Sequence, residues 1–152
     1  MAVQTRSGSE AAILPAAKER TGVFRSSGSS GRAVLGHLRE MLAADRLRRE
    51  GYVILERNYR CRQGEIDMIA REDGVLVFVE VRTRSGDGFG SPLESVDFFK
   101  QRRLRDVARH YLRERRPVYQ DVRFDVVGIV LKEGEEARVD IVPHAFYQGQ
   151  FR

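Results

Sequence analysis

Cysteine is almost absent from this chain of 152 residues, which contains only Cys61. A single thiol excludes a disulfide within the chain and any zinc site built mainly from cysteine. A reducing compartment is therefore the simpler assumption, and we expect the protein to be cytoplasmic. The three histidines offer no substitute, because none of them has a metal-ligand or triad spacing to another.

Long apolar runs are missing as well. The only apolar run near the start is AAILPAA, residues 11–17, which is short and interrupted by Pro15. It is too short to span a bilayer and does not form the core of a signal peptide. The surrounding residues are rich in Ser, Gly, Ala and Arg, and Glu10 and Glu19 argue against a transit peptide. We therefore expect a disordered tail over residues 1–32, one folded domain over residues 33–152, and no association with a membrane.

Charge is abundant, with 27 Lys and Arg against 22 Asp and Glu and a formal net charge of +5. This balance favours an anionic partner, and nucleic acid is the first candidate. Many of the basic residues follow Asp97 in a segment whose apolar residues recur at helical spacing. A helix that contacts phosphates and a merely solvated basic face both fit this pattern. The candidate nucleic-acid-binding residues are Lys100, Arg102, Arg103, Arg105 and Arg109.

An earlier segment, from Ala33 to Glu50, also has helical periodicity and carries two different faces. The larger side chains form one face: Val34, Leu35, Leu38, Met41 and Leu42. The opposite stripe is small except for its one acid: Gly36, Glu40, Ala43, Ala44 and Leu47. Glu40 therefore lies among residues that permit close approach of another element, although a surface glutamate is the alternative.

The stretch GEIDMIAREDGVLVFVEVRTR, residues 64–84, places acids inside two apolar strands. Asp73-Gly74 favours a two-residue type I′ hairpin turn. Counting outward from that turn sets Asp67 directly opposite Glu80, with Arg82 on the same face of the sheet. A four-residue loop would keep the acids on one face as diagonal neighbours, whereas a three-residue loop with a bulge could separate them.

Two carboxylates that face each other need a positively charged partner, and the sequence allows two alternatives. A salt bridge to Arg82 would satisfy one acid, while a divalent cation would satisfy both. Mg²⁺ takes oxygen ligands, commonly one or two carboxylates together with waters and substrate phosphates. In a basic protein this arrangement suggests metal-assisted hydrolysis of phosphodiesters.

The remaining segments complete the predicted architecture. Residues 52–60 read as a strand before the hairpin. Ser91, Pro92 and Glu94 are typical of a helix start, with a break near Asp97. Residues 122–131 form a further strand and a last short one follows. The order is helix, three strands, helix, strand and a short strand, which predicts an α/β domain with helices flanking the sheet.

Several separated motifs occur in the order found in one known family. GEIDMIA, FVEVRTR, Lys100 with QRRL, and RFDVV resemble the YraN family of uncharacterised bacterial proteins, from about Gly36 to Phe146. That family is similar to Holliday-junction resolvases of the restriction-endonuclease-like, PD-(D/E)XK nuclease superfamily. The resemblance implies a restriction-endonuclease-like core with a mixed sheet flanked by helices.

The resemblance also implies roles for individual residues. Asp67 and Glu80 match the two metal-binding acids, and Glu40 matches a helical acid that completes the metal site in resolvases. The cofactor would be Mg²⁺ or Mn²⁺. Arg82 stands where the superfamily has lysine, and arginine stays charged, so it can position and neutralise but cannot exchange a proton as lysine can. The implied catalytic set is Glu40, Asp67, Glu80 and Arg82.

Two functional classes follow from these residues. Intact Glu40, Asp67 and Glu80 favour a metal-dependent nuclease that acts on DNA, with branched or recombination intermediates as candidate substrates. Arg82 favours a non-catalytic nucleic-acid-binding module that kept the fold. A homodimer is left open.

Overall fold

The computed structural model describes residues 28–86 and 92–146. Most of the predicted tail, residues 1–27, lies outside the described residues, as do the glycine-rich segment 87–90 and Ser91. The first helix begins before the predicted Ala33, because α1 extends over Gly28–Arg49. The sequence could not show this start, since Gly and Ser carry no apolar periodicity.

Five strands and a second long helix follow α1. Their bounds are β1 (Val53–Cys61), β2 (Gly64–Glu72), β3 (Val75–Ser85), a 3₁₀ turn (Pro92–Ser95), α2 (Phe98–Arg115), β4 (Asp121–Leu131) and β5 (Arg138–Val142). The strands form one sheet in the order β1-β2-β3-β4-β5. Strands β3 and β4 are parallel and the other neighbours are antiparallel, so the sheet is mixed. The predicted α/β class and element order are confirmed.

The β2–β3 turn has the predicted geometry. Asp73 and Gly74 have φ angles of 47° and 79°, the positive values that a type I′ turn requires. Glu72 pairs with Val75 as predicted, and the paired residues continue without a bulge to Met68 and Val79. The turn therefore fixes the register that brings Asp67 and Glu80 together just beyond this last pair.

The two helices cover opposite faces of the sheet. On one face, the fully buried Ala43, Ala44 and Leu47 of α1 pack in a cluster with residues of β2, β3 and β4. On the other face, α2 packs through a stripe of buried residues: Leu104, Val107, Ala108 and Tyr111. The small stripe of α1 is thus its core face, because small side chains let the helix approach the sheet. Most of the larger apolar side chains on the other face are exposed, including Val34 and Met41, whereas Leu42 is half-buried against the core. Neither helix in these ranges is long and apolar enough to cross a membrane.

A charged cluster lies inside the sheet around Asp125 of β4, which pairs with Val79, the residue before Glu80. Asp125 is fully buried and accepts hydrogen bonds from Arg123 Nε at 2.8 Å and from the Tyr52 hydroxyl at 2.8 Å. The backbone N–H of His144 donates a further bond to Asp125 at 3.1 Å. Arg123 also pairs with Glu72. This cluster connects the start of β1, the end of β2 and the segment after β5 through one strand.

Replacing Asp125 with Asn should lower the free energy of unfolding by about 2–4 kcal/mol, because it leaves Arg123 buried without its main counter-charge. Urea unfolding monitored by circular dichroism measures this loss. Asp140→Asn is the matched control: Asp140 also pairs with an arginine two residues earlier, Arg138, but both side chains are exposed. The control should cost less than about 1 kcal/mol. Equal losses in the two variants would contradict the assignment.

Candidate active site

The candidate site lies where β2 and β3 separate beyond the Met68–Val79 pair. Here Asp67 Oδ2 accepts a hydrogen bond from the Val81 backbone N–H at 2.7 Å. The carboxylate thus takes a main-chain donor of the neighbouring strand, which fixes the orientation of Asp67. Glu80 lies beside it and only 5% of its surface is exposed. The two acids therefore lie close together, although the β2–β3 residue pairs end at Met68 and Val79 and do not include Asp67 with Glu80.

Burial and mutual repulsion both act on this acid pair. Burial, and after it the negative charge of Asp67, raise the pKa of the Glu80 carboxyl to about 7. Burial also raises the pKa of Asp67, although the Val81 N–H bond favours its charged form. Near neutral pH the pair is therefore still partly protonated, whereas two exposed carboxyl groups would have lost their protons.

Two cations approach the same oxygen of Glu80. Lys100 Nζ lies 3.2 Å from Glu80 Oε1, and Arg82 Nε lies 3.4 Å from that atom. The Arg82 contact is an ion pair only, because its buried Nε makes no hydrogen bond. Both cations lower the pKa of Glu80, but they do not return it to the usual range for a glutamate. The salt bridge considered from the sequence exists, and it is shared between a strand residue and a helix residue.

Lys100 reaches the site from the first turn of α2. Asp97 caps this helix and its side chain accepts a hydrogen bond from the Lys100 backbone N–H at 2.8 Å. The predicted break near Asp97 is confirmed, since the 3₁₀ turn ends at Ser95 and α2 begins at Phe98. This break sets the direction of α2 so that its first turn lies over Glu80.

Glu40 lies on the other side of Asp67. It lines a pocket of about 140 Å³ together with Gly36, Arg39, Asp67 and Val81. Its Oε2 atom accepts a hydrogen bond from Asn58 Nδ2 at 3.1 Å. Among the described residues, no three acids, histidines or cysteines lie close enough together to hold a metal ion. The structure therefore brings Glu40 to the same pocket as Asp67 without joining all three acids in one cluster.

Sequence reasoning missed two features of this site. Asn58 was included in a strand without a role, yet it has a positive φ of 52° and binds Glu40. An Asn inside a strand pattern was the available signal, because Asn tolerates the left-handed region better than most residues. Lys100 was assigned to nucleic-acid binding, and no sequence spacing connects it to Glu80.

The basic residues of α2 extend away from Lys100. Arg102 and Arg103 are exposed, and the Arg103 side chain passes over Gly64 at the start of β2. Arg109 is also exposed but forms an ion pair with Asp106 at 3.0 Å. Arg105 is half-buried and has an interaction partner. The exposed positive charge beside the acid pair therefore comes chiefly from the first half of the helix.

The acid pair fits a divalent cation on chemical grounds. Its donors are carboxylate oxygens, which hard cations such as Mg²⁺ prefer. The pKa values of both acids stay raised because burial and mutual repulsion outweigh the nearby positive charge. A cation at Asp67 and Glu80 would displace the retained proton and remove the repulsion, with Glu40 adding negative charge from the adjoining pocket.

Comparison with known proteins gives a consistent family match. The model of the uncharacterised protein family UPF0102 matches residues 39–129. A UPF0102 protein of Rhodococcus opacus is 48% identical over 112 residues, which cover 74% of this chain and 95% of that protein. A UPF0102 protein of Dictyoglomus turgidum is 41% identical over 113 residues, covering 74% of this chain and 96% of that protein. The matched span includes Glu40, Asp67, Glu80 and Lys100.

Replacing Glu80 with Gln should stabilise the protein at high pH in the absence of metal. The folded-state pKa of about 7 exceeds the ordinary value of 4.5, so the folded state keeps a proton that the unfolded state loses. The unfolding free energy of the parent should therefore fall as pH rises between these values, by up to roughly 3 kcal/mol. The neutral Gln should remove this loss and behave like the parent at low pH.

Urea unfolding in EDTA at several pH values compares the two proteins. The exposed Glu65, which pairs with Arg60, provides the control Glu65→Gln. That variant should follow the parent at every pH. If parent and Glu80→Gln lose stability in parallel as pH rises, the raised pKa is incorrectly assigned.

Proposed function

The chain belongs to the uncharacterised protein family UPF0102, and from that premise we propose that it is a metal-dependent nuclease that hydrolyses phosphodiester bonds of DNA. The observation that carries this proposal is the pair of half-buried Asp67 and buried Glu80, with Lys100 and Arg82 at Glu80. One oxygen of Glu80 receives both cations. Asp67 keeps only a neutral backbone donor among the bonds described above.

The resemblance to restriction-endonuclease-like nucleases supports the same function. The resemblance implies that the motif acids of that superfamily correspond to Asp67 and Glu80, which lie on the two strands of one β-hairpin between helices on opposite faces of the sheet. The element order is also the one that the resemblance implies. Because one fold can serve many functions, the acid pair and not the fold is the main support.

Asp67 and Glu80 would hold the Mg²⁺ or Mn²⁺ ion. When bound, such an ion polarises the phosphodiester and lowers the pKa of a coordinated water. Val81 keeps Asp67 in one orientation through its N–H, so a ligand atom is positioned before the ion arrives. Glu40, held by Asn58, contributes negative charge at the edge of the pocket.

Lys100 would supply the function that lysine has in the superfamily motif. Arg82 occupies the motif position but retains its charge, and its guanidinium can only neutralise and orient. An ammonium group can instead give up a proton, and Lys100 places one 3.2 Å from Glu80. The lysine would thus come from α2, while Arg82 balances the charge of Glu80 and of the phosphate.

Nucleic acid is the substrate class that agrees with the charge distribution. The exposed Arg102 and Arg103 follow Lys100 directly and extend the positive surface beyond the acid pair. Arginine binds phosphate through two donors at once, which suits a polyanion passing over this face. A scissile phosphate at Glu80 would then have its neighbouring phosphates beside α2.

The alternative is a nucleic-acid-binding module without catalysis. The specific observation in its favour is Arg82, because its ion pair with Glu80 could serve only to stabilise the strand. In that case the basic surface would keep its role, and mutation of the acid pair would leave DNA binding intact. Cleavage assays separate the two functions.

We expect purified protein to cleave DNA in Mg²⁺ or Mn²⁺ and not in EDTA, with Asp67→Asn and Glu80→Gln inactive. Lys100→Gln should lower the rate by about 10²-fold or more, the usual contribution of an acid–base or charge-stabilising group. Arg82→Lys should remain active, because it keeps the charge beside Glu80. The measurement is the single-turnover rate on linear duplex, single-stranded and four-way-junction DNA.

Arg113→Gln is the control variant, since Arg113 is exposed near the far end of α2. It should cleave at a rate close to that of the parent. Equal trace cleavage by the parent and all acid variants would identify a contaminant and favour the non-catalytic module.

A further inference from the structure

Two aromatic side chains beside the site are turned towards solvent. Phe98 and Phe99 are 64% and 77% exposed, at the beginning of α2. Their rings contact each other edge to face, with centroids 6.0 Å apart and an interplanar angle of 76°. The other exposed large apolar side chains in the described ranges are aliphatic. An exposed aromatic pair of this kind has no role in the core and needs another explanation.

The position of the pair connects it to the acid site. Phe99 directly precedes Lys100, whose ammonium contacts Glu80, and the exposed Arg102 and Arg103 follow within the next turn. Helical spacing places Arg102 and Arg103 one turn after Phe98 and Phe99, so aromatic and cationic side chains are neighbours on the exposed surface of α2. Proteins that bind single-stranded nucleic acid combine these same two features, because bases stack on aromatic rings while cations contact the backbone.

Paired bases are already stacked inside a duplex and cannot cover an exposed ring. A base that has left the stack, at a single-stranded end or at a branch, has a free face and can do so. The surrounding positive charge favours a polyanion as the occupant over an apolar protein surface. It also opposes a second copy of this basic chain at the same place.

We propose that Phe98 and Phe99 stack on unpaired bases of DNA and so direct the site to substrates in which a single-stranded segment meets a duplex. This inference rests on the proposed nuclease function and specifies its substrate. The backbone phosphates of the unpaired segment would contact Arg102 and Arg103, which places a phosphate near the junction at Lys100 and Glu80. Duplex without unpaired bases would be bound through phosphate contacts alone.

A fluorescent reporter can test this directly, because the natural chain contains no tryptophan. Phe99→Trp introduces a single indole at the proposed stacking position. In EDTA, duplex DNA with a single-stranded overhang should quench its emission, whereas blunt duplex of the same sequence should not. Val118→Trp is the control: Val118 is 86% exposed beyond the other end of α2, and Arg71 donates a hydrogen bond to its carbonyl. Neither DNA should quench this control.

Binding affinities of unlabelled variants provide the second measurement. The double variant Phe98→Ala with Phe99→Ala should bind overhang DNA roughly tenfold or more weakly, since stacking contributes about 1–3 kcal/mol per base. Its affinity for blunt duplex should stay at the parent value. Phe98→Leu with Phe99→Leu keeps apolar bulk without a π-face and should lose the same preference. Unchanged preference in either double variant would overturn the proposal.

The outcomes distinguish this proposal from the nuclease function. If the parent cleaves DNA but the phenylalanine variants keep its substrate preference, only the stacking role is wrong. If the parent neither binds nor cleaves any DNA, the nuclease function itself fails. A dimer of the parent that dissociates in the Ala variant, measured by light scattering, would instead assign the pair to contact between copies and overturn the stacking role.

Discussion

The repulsion between two carboxylates, one buried and one half-buried, is the constraint around which this molecule is organised. Asp67 and Glu80 lie close together on neighbouring strands of the sheet, and burial raises the pKa of both. The fold provides partners for both acids. Asp67 accepts a hydrogen bond from a backbone N–H, and the cations Lys100 and Arg82 form ion pairs with Glu80. These contacts reduce the repulsion without removing it. The remaining negative charge is unfavourable for stability and useful for binding a cation.

The elements that meet at this pair explain much of the architecture. The turn at Asp73-Gly74 sets the register of β2 and β3, so a shift by one residue would move one acid to the opposite face. The cap at Asp97 starts α2 where Lys100 can reach Glu80. On the opposite face of the sheet, small residues let α1 approach closely enough to bring Glu40 beside Asp67. The Arg123–Asp125 ion pair stabilises β4, where Asp125 pairs with Val79 next to Glu80.

Short sequence patterns predicted the parts of this arrangement that depend on residues close together in the chain. The hairpin followed from its turn dipeptide, and the proximity of Asp67 to Glu80 followed by counting from it. The contact between Lys100 and Glu80 depends on how α2 crosses the sheet, which no sequence period encodes. The periodicity of α1 also could not predict that Val34 and Met41 are exposed, because it shows two faces of a helix but not which of them packs against the sheet. Asn58 was missed since its role depends on a positive φ within a strand.

The central claim is that Asp67 and Glu80 together bind a divalent cation, and calorimetric titration with Mn²⁺ measures this most directly. At about pH 8 the parent should bind one ion in a saturable isotherm. Asp67→Asn should weaken this binding strongly, and the exposed-acid variant Glu65→Gln should bind as the parent does. Below the raised pKa of Glu80, binding by the parent should become weaker and release protons. Identical isotherms for the parent and Asp67→Asn would contradict the account.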